Sequence, residues 1–414
     1  MNFHGGDALR EKLFRGENRG NVSYDTVWTA VRLYDKIIQS KRAAAKSEKD
    51  QAAREAYIML DIRVELTKTP KAKPADESKL GFGKVFSDHM FVMDYNPEQG
   101  WHDARIIPYQ SFSMDPASVV FHYAQEIFEG LKAYRTAEGK IQLFRPDCNA
   151  QRCNDSADRM CMPQLDPEFQ VRAMKTLVEL EQDWVPHAEG TSLYLRPTMI
   201  ADGAELGVHP AHHFLYYIIC SPSGSYYKNG MAPIRIHIED RYVRAVKGGT
   251  GAAKTGGNYA SSLKATFEAQ AKGYDQVLWL DGKENKYVEE VGAMNMVFVM
   301  DGKLVTAPTE GSILPGITRK SILQLAQEKG IPVEERPIAV EELFQAHAEG
   351  RLTEAFGTGT AAVISPVGEL AYRDRSMILN EGKIGPVSQA MYDNLVGIQR
   401  GDLPDPHGWV YPIG

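Results

Sequence analysis

Lys247-Gly248-Gly249-Thr250-Gly251-Ala252-Ala253-Lys254-Thr255-Gly256-Gly257-Asn258-Tyr259 decides how this chain is read. Five glycines surround Lys254, so the backbone can turn tightly and bring one amine into a site with little steric cover. A lysine in a partly desolvated pocket loses some of its preference for the ammonium form; it can then attack an aldehyde and later carry a proton. A solvated loop with a merely soluble lysine is the plain alternative. A nucleotide P-loop is the sharper one, because Gly248 and Lys254-Thr255 fall at G-x-x-x-x-G-K-[ST] spacing and Val277-Leu278-Trp279-Leu280-Asp281 imitates a strand ending in a magnesium-binding acid. That pattern breaks at Ala253, where its second glycine belongs, and at Gly256-Gly257, which weaken the first turn of a phosphate-capping helix. The aldehyde that suits Lys254 is pyridoxal phosphate.

Outward from this segment, 414 residues are too many for one core and fit two domains plus an appendage. A hydrophobic content of 43% and a charged content of 24% are ordinary for a soluble globular protein. The formal charge of -7 gives no reason to expect nucleic acid or an anionic membrane as partner. No apolar run is long enough to span a bilayer. The first residues lack an apolar signal core and include Asp7, Glu11 and Glu17, so a cytoplasmic location is expected. Cys148, Cys153, Cys161 and Cys220 form no C-x-x-C pair and are read as packing residues in a reducing compartment. His209, His212 and His213 surround a proline without a metal-binding frame, and no metal is expected.

A helical pattern runs from about Tyr24 to Leu60, with Val27, Val31, Tyr34 and Ile38 at three- and four-residue steps. This extension, residues 1–61, is mildly basic, and its apolar stripe needs a covering surface. A proline-lysine linker, Lys68 to Pro74, follows. Strands are then expected at Val85 to Met93, Ala104 to Ile107, Lys132 to Tyr134, Ile141 to Phe144, Ser192 to Ile200 and Phe214 to Cys220, with helices at Ala117 to Phe128 and Pro167 to Asp183. Residues 226–235 read as the crossing to a second domain. There strands at Ile234 to Ile238, Gln276 to Leu280, Tyr287 to Val291 and Met294 to Val299 alternate with helices at Asn258 to Lys272 and Thr318 to Lys329. The expected organisation is α/β, with a small domain over residues 62–225 and a large cofactor-binding domain over residues 236–414.

Glu289-Glu290-Val291-Gly292-Ala293-Met294-Asn295 supplies a second piece of chemistry. Strand alternation sends Glu289 and Glu290 to opposite faces, so at most one enters a pocket. A buried carboxylate beside a pyridine nitrogen keeps it protonated, and a protonated ring is an electron sink. Leu314-Pro315-Gly316-Ile317-Thr318-Arg319 opens a helix whose amides can bind phosphate, and Phe356-Gly357-Thr358-Gly359-Thr360-Ala361-Ala362 reads as a second small-residue loop of that kind.

Phe128-Glu129-Gly130-Leu131-Lys132-Ala133-Tyr134, Tyr194-Leu195-Arg196-Pro197, Lys254 to Tyr259, Glu290-Val291-Gly292, Leu314 to Thr318 and Phe356 to Thr360 together resemble, in order, the branched-chain amino acid aminotransferases. These are fold-type IV pyridoxal phosphate enzymes, related to the D-amino acid aminotransferases, and the likeness is to the bacterial members. It runs from about Ile62 to about Trp409. The related D-amino acid aminotransferases and aminodeoxychorismate lyases are the alternative, disfavoured by Tyr194-Leu195-Arg196-Pro197.

The resemblance implies amino-group transfer between leucine, isoleucine or valine and 2-oxoglutarate, through a cofactor Schiff base on Lys254. It assigns Glu290 to the pyridine nitrogen, Tyr259 to the ring hydroxyl, and Arg152, Ile317, Thr318 and Thr360 to the phosphate. It places Phe82, Phe128, Tyr194 and Tyr226 in the substrate wall, with Tyr123 and Arg196 as polar contacts and the amides of Ala293 and Ala361 toward the α-carboxylate. Leu206 and Val208 resemble loop residues given across a dimer interface, so at least a homodimer is implied. Ala362-Val363-Ile364-Ser365 replaces the C-x-x-C pair of animal members, and thiol regulation there is not expected.

Overall fold

The computed structural model describes residues 60–224 and 231–413; the helix expected before Leu60 and the substrate-wall residue Tyr226 fall outside the described residues. Leu60–Gly414 form one compact unit. Its strands, in chain order, are β1 (Arg63–Val64), β2 (His89–Asn96), β3 (Gly100–Pro108), β4 (Glu126–Phe128), β5 (Leu131–Arg135), β6 (Ile141–Phe144), β7 (Ser192–Ala201), β8 (Phe214–Ser223), β9 (Ile234–Glu239), β10 (Gln276–Leu280), β11 (Val288–Val291), β12 (Met294–Met300), β13 (Lys303–Thr306), β14 (Val333–Glu335), β15 (Leu352–Gly359), β16 (Val363–Tyr372), β17 (Arg375–Ile378) and β18 (Val410–Ile413). The helices are α1 (Val119–Tyr123), α2 (Pro146–Arg159), α3 (Pro167–Leu180), α4 (Gly256–Ala260), α5 (Leu263–Ala271), α6 (Ile317–Glu328), α7 (Val340–Ala348) and α8 (Pro386–Arg400). No helix of the described residues is long and apolar enough to cross a membrane.

The first sheet has the order β1-β3-β2-β8-β7-β5-β6-β18, with β4 paired to β7. The second has the order β11-β10-β9-β16-β15-β12-β13-β14, with β17 on β16. In that second sheet β11 also pairs with β12, so six strands close on themselves and their edges disappear. Strand β9 shows how the sequence fills this ring: Ile234, Ile236 and Ile238 are buried, whereas Arg235 between them is exposed. They join Leu278, Met296, Phe298 and Leu370 in one core. A second core joins the sheets, because Phe144 of β6 clusters with Phe356 of β15, Ile322 of α6, and Met391 and Leu395 of α8.

Helix α3 matches its signals. Asp166 caps it by accepting from the Phe169 amide at 2.8 Å, Pro167 occupies its first turn, and Phe169, Ala173, Met174, Leu177 and Val178 make the buried stripe. Three expectations are corrected. The helix expected from Ala117 to Phe128 stops at Tyr123, because Ala124 turns left-handed at φ 48° and Glu126–Phe128 becomes a strand paired with β7. The helix expected from Asn258 to Lys272 is broken into α4 and α5 at Ser261-Ser262, whose hydroxyls donate to backbone carbonyls. Phe356–Gly359 belongs to β15 and only residues 360–362 form a turn, because Phe356 is an inward core residue. Helix α2 had no counterpart in the sequence reading. The chain changes sheets between β8 and β9, and its last strand returns to pair with β6, Val410 opposite Phe144.

Candidate active site

A cavity of about 400 Å³ lies between residues of the two sheets, with Lys254 in its lining. Lys254 is held by its backbone: its amide donates to Ser156 Oγ of α2 at 3.0 Å, and its carbonyl accepts from the Phe128 amide of β4 at 3.0 Å. The side chain lies 4.8 Å from the Phe128 ring centre, and its Nζ is 2.8 Å from the Tyr259 hydroxyl. Tyr259 stands five residues on, in α4, just past the glycine pair. A Cβ at Gly256 would meet the Glu126 carboxylate, which comes within contact of this helix start and would have to move aside.

Glu290 enters from β11. It is 2% exposed, and Arg244 Nη1 lies 2.6 Å from its Oε2. That approach is off the hydrogen-bond axis, so Oε2 keeps an open acceptor direction among the described residues. Asn295 Nδ2 donates to Glu290 Oε1 at 3.2 Å and to the Leu314 carbonyl at 2.9 Å, tying the carboxylate to the start of α6. Burial pushes the Glu290 carboxyl up to about 7, against the pull of Arg244 and Lys254. Its neighbour Glu289 points to the other side, where Ser312 donates to it beside a separate cavity. Gly292 makes the β11–β12 turn at φ 56°, and a side chain there would also meet Gln276.

The cavity is also lined by Gly316, Ile317 and Thr318 at the uncapped start of α6, and by Thr358, Gly359, Thr360 and Ala361 at and just past the end of β15. Unpaired helix amides, hydroxyls and glycines at one end make an anion cradle. A Cβ at Gly316 would run into Asn295 Oδ1, which holds this end tight. Arg152 comes to the same end from α2. Two of its donors are taken by Glu129, Nε to Oε1 and Nη2 to Oε2, each at 2.8 Å, and Nη1 reaches the Pro315 carbonyl at 3.2 Å. Asn149 also donates to Glu129 at 2.7 Å. Burial alone would raise the Glu129 carboxyl, but Arg152 holds it below the usual carboxylate range. The paired-donor grip expected of Arg152 is therefore directed at Glu129, which leaves its outer N–H groups for the cavity.

The remaining wall is aromatic. Phe82 meets Tyr194 edge-on at 4.9 Å, and Phe128 meets Tyr259 at 5.0 Å. Arg196 donates to the Tyr194 hydroxyl at 3.0 Å, and its guanidinium lies 4.7 Å from the Phe128 ring centre. Burial raises the Glu126 carboxyl nearby, opposed by the Arg196 charge. Ala293 lines the cavity as well. The structure thus brings together Arg152, Lys254, Tyr259, Glu290, Ile317, Thr318, Thr360, Phe82, Phe128, Tyr194, Arg196, Ala293 and Ala361. It does not bring Tyr123, Leu206 or Val208 to the cavity of the same chain. They sit on the surface, 41%, 63% and 84% exposed, with the Tyr123 hydroxyl donating to the Leu206 carbonyl at 2.7 Å.

Sequence reasoning missed Glu129, Arg244, Asn295 and Thr358. Glu129 carried a signal, an acidic residue in the short Glu129-Gly130 link between the apolar Phe128 and Leu131. Arg244 carried none, since only the fold returns it to Glu290.

The amino-transferase class IV family model matches residues 126–370. Branched-chain-amino-acid aminotransferase 2 of Bacillus subtilis (strain 168) is 56% identical over 352 residues, covering 85% of this chain and 97% of the relative. Among solved structures, the branched-chain amino acid aminotransferase of Escherichia coli is 29% identical with a TM-score of 0.67, covering 79% of this chain and 99% of that one. The T.th. branched-chain amino acid aminotransferase complexed with N-(5'-phosphopyridoxyl)-L-glutamate is 26% identical with a TM-score of 0.63, covering 81% and 99%.

Proposed function

The chain belongs to the class IV aminotransferases, pyridoxal phosphate-dependent transaminases, and within them to the branched-chain amino acid aminotransferases, and from that premise we propose how its cavity works. The substrates are L-leucine, L-isoleucine or L-valine on one side and 2-oxoglutarate on the other, with the cofactor on Lys254. The observation that carries this reading is the set of groups lining one cavity: the buried Glu290 carboxylate, the uncapped α6 start with Arg152, and Lys254 with its amine on the Tyr259 hydroxyl.

The residues fit the cofactor. Glu290 Oε2 and Thr358 Oγ1 are buried in the cavity lining without a hydrogen-bond partner among the described residues, and could serve as acceptor for a ring nitrogen and donor to a phosphate. Gly316 and Gly359 line the cradle, and a side chain at either would press on Asn295 or Met294. When bound, pyridoxal phosphate supplies an aldehyde for the amino group and a ring that stabilises charge at the substrate α-carbon. Lys254 Nζ is the base that takes the α-proton and returns it. Tyr259 holds that amine in line through its hydroxyl, and the Phe128 ring beside it keeps water away. Glu290, its charge favoured by Arg244, holds a proton on the ring nitrogen. Arg152, Ile317, Thr318 and Thr360 anchor the phosphate.

The aromatic wall of Phe82, Phe128 and Tyr194 accepts a branched apolar side chain, while Arg196 at its edge receives the distal carboxylate of glutamate. Ala293 and Ala361 offer amides to the α-carboxylate. Tyr123, Leu206 and Val208 serve the neighbouring subunit of a homodimer, which accounts for their exposure in a single chain. The test is the absorbance of purified protein with added pyridoxal phosphate, before and after leucine. A leucine-dependent shift reversed by 2-oxoglutarate is expected; cofactor absorbance that ignores leucine but answers a D-amino acid would favour the D-amino acid relatives.

A further inference from the structure

Lys132 lies outside the cavity lining yet stands directly opposite Tyr194 in the β5–β7 pairing, so both side chains leave the first sheet on the face toward the cavity. It is 8% exposed, and its Nζ crosses to the second sheet to donate to the Ala361 carbonyl at 2.8 Å. Among the described residues no carboxylate lies within ion-pair distance of it. A buried ammonium held by one neutral carbonyl costs stability, because the Coulomb gain that normally offsets desolvation is missing. A desolvated ammonium without a counter-ion beside a cleft marks a candidate functional group, and an anionic ligand would offset its cost.

The turn it touches is itself constrained. Residues 360–362 join Gly359 of β15 to Val363 of β16, and Val363 takes φ 62° although it is β-branched and buried. A valine in the left-handed region persists only when its surroundings fix it. The peptide unit is planar and trans, so fixing the Ala361 carbonyl also fixes the amide of Ala362, which borders the cavity.

We propose that Lys132 is a positioning residue for the substrate α-carboxylate: its ammonium fixes the Ala361 carbonyl, orients the turn's amides, and lends this side of the cavity an unpaired positive charge. This rests on the aminotransferase reading of the cavity given above. The α-carboxylate is the one group common to the branched-chain amino acids, glutamate and their 2-oxo acids, so Lys132 acts on both half-reactions, unlike Arg196.

The experiment compares cofactor-loaded wild type, Lys132→Met and Lys132→Arg. Binding of 4-methylvaleric acid, leucine without its amino group, is titrated by cofactor absorbance, and KM and kcat are measured for leucine and 2-oxoglutarate. In Lys132→Met the dissociation constant of 4-methylvaleric acid and both KM values are expected to rise roughly tenfold or more, the effect of deleting a charged hydrogen-bond partner. Cofactor affinity and kcat should stay within about twofold, and Lys132→Arg should recover most of the loss. Unchanged acid binding, or loss of cofactor and kcat without a change in KM, overturns the proposal and makes Lys132 a structural strut. If Lys132→Met is insoluble, Lys132→Gln is measured against the same criteria. A wild type that binds pyridoxal phosphate but never responds to leucine overturns the aminotransferase reading itself, and this proposal with it.

Discussion

Glu129 and Arg152 are joined by two parallel hydrogen bonds of 2.8 Å, with both side chains buried. The pair fixes the guanidinium plane before any ligand arrives, so the outer donors of Arg152 lose little ordering entropy on binding phosphate. Glu129→Gln removes the charge and leaves Arg152 buried without a counter-ion, a change of about 3 kcal/mol in favour of the unfolded chain. The dissociation constant of pyridoxal phosphate is expected to rise roughly ten- to hundredfold, measured by titrating apoprotein. An unaltered constant would show that the phosphate end does not depend on this pair.

Glu290 and Glu289 are neighbours in β11 with opposite surroundings, the first against Arg244 and Asn295, the second against Ser312. Glu290→Gln is expected to slow the leucine half-reaction by several orders of magnitude, since a neutral amide cannot hold the ring nitrogen protonated. Glu289→Gln should cost less than about tenfold. Rapid-scanning absorbance of both variants checks this, and equal losses would refute the division of faces.

Arg196 contacts Tyr194 and overlies Phe128, so its charge sits on an otherwise aromatic wall. Arg196→Ala should separate the half-reactions. The 2-oxoglutarate step is expected to lose about 2 to 4 kcal/mol of transition-state stabilisation while leucine is nearly unaffected. Single-turnover kinetics in each direction decide it; parallel losses would mean that Arg196 supports the wall instead of reading the acid.

Burial lowers the Lys132 ammonium from 10.5 to about 8. Between those values the unfolded chain holds a proton that the folded chain has released, so this group makes stability rise with pH across that window. Its burial cost, about 3 kcal/mol, is fully present below about pH 8 and is relieved toward pH 10.5. Lys132→Met should therefore gain most over wild type near neutral pH, with the gap narrowing near about pH 10. Urea unfolding midpoints at both pH values measure the gap, and a constant difference would place Lys132 in a more solvated setting than its burial implies.

The residues that line this cavity were more legible than the scaffold that gathers them. Ile141–Phe144 and Gln276–Leu280 appear with the expected bounds because apolar residues flanked by turn signals define them. Helix α2 was hidden because its apolar stripe, Ala150, Cys153 and Ala157, is made of small residues and shares the buried face with Asn149, Arg152 and Ser156, which dilutes the hydrophobic pattern. The closure of the ring was equally hidden: β11 and β12 are a local hairpin, but the ring also needs β12 against β15 and β9 between β10 and β16, pairings between segments far apart in the chain. Lys254, Tyr259 and the α6 start were legible because glycine spacing marks where backbone must approach a ligand. Their partners Glu129, Arg244 and Asn295 act through the fold, which sequence order does not display.

In the proposed mechanism Lys254 carries the cofactor and moves the α-proton. Borohydride reduction of the holoprotein followed by peptide mapping tests it most directly. One pyridoxyl label is expected, on the peptide containing Lys254, with activity lost in proportion to labelling. A label on Lys247, Lys264 or Lys132, or full activity after Lys254 is labelled, would contradict it.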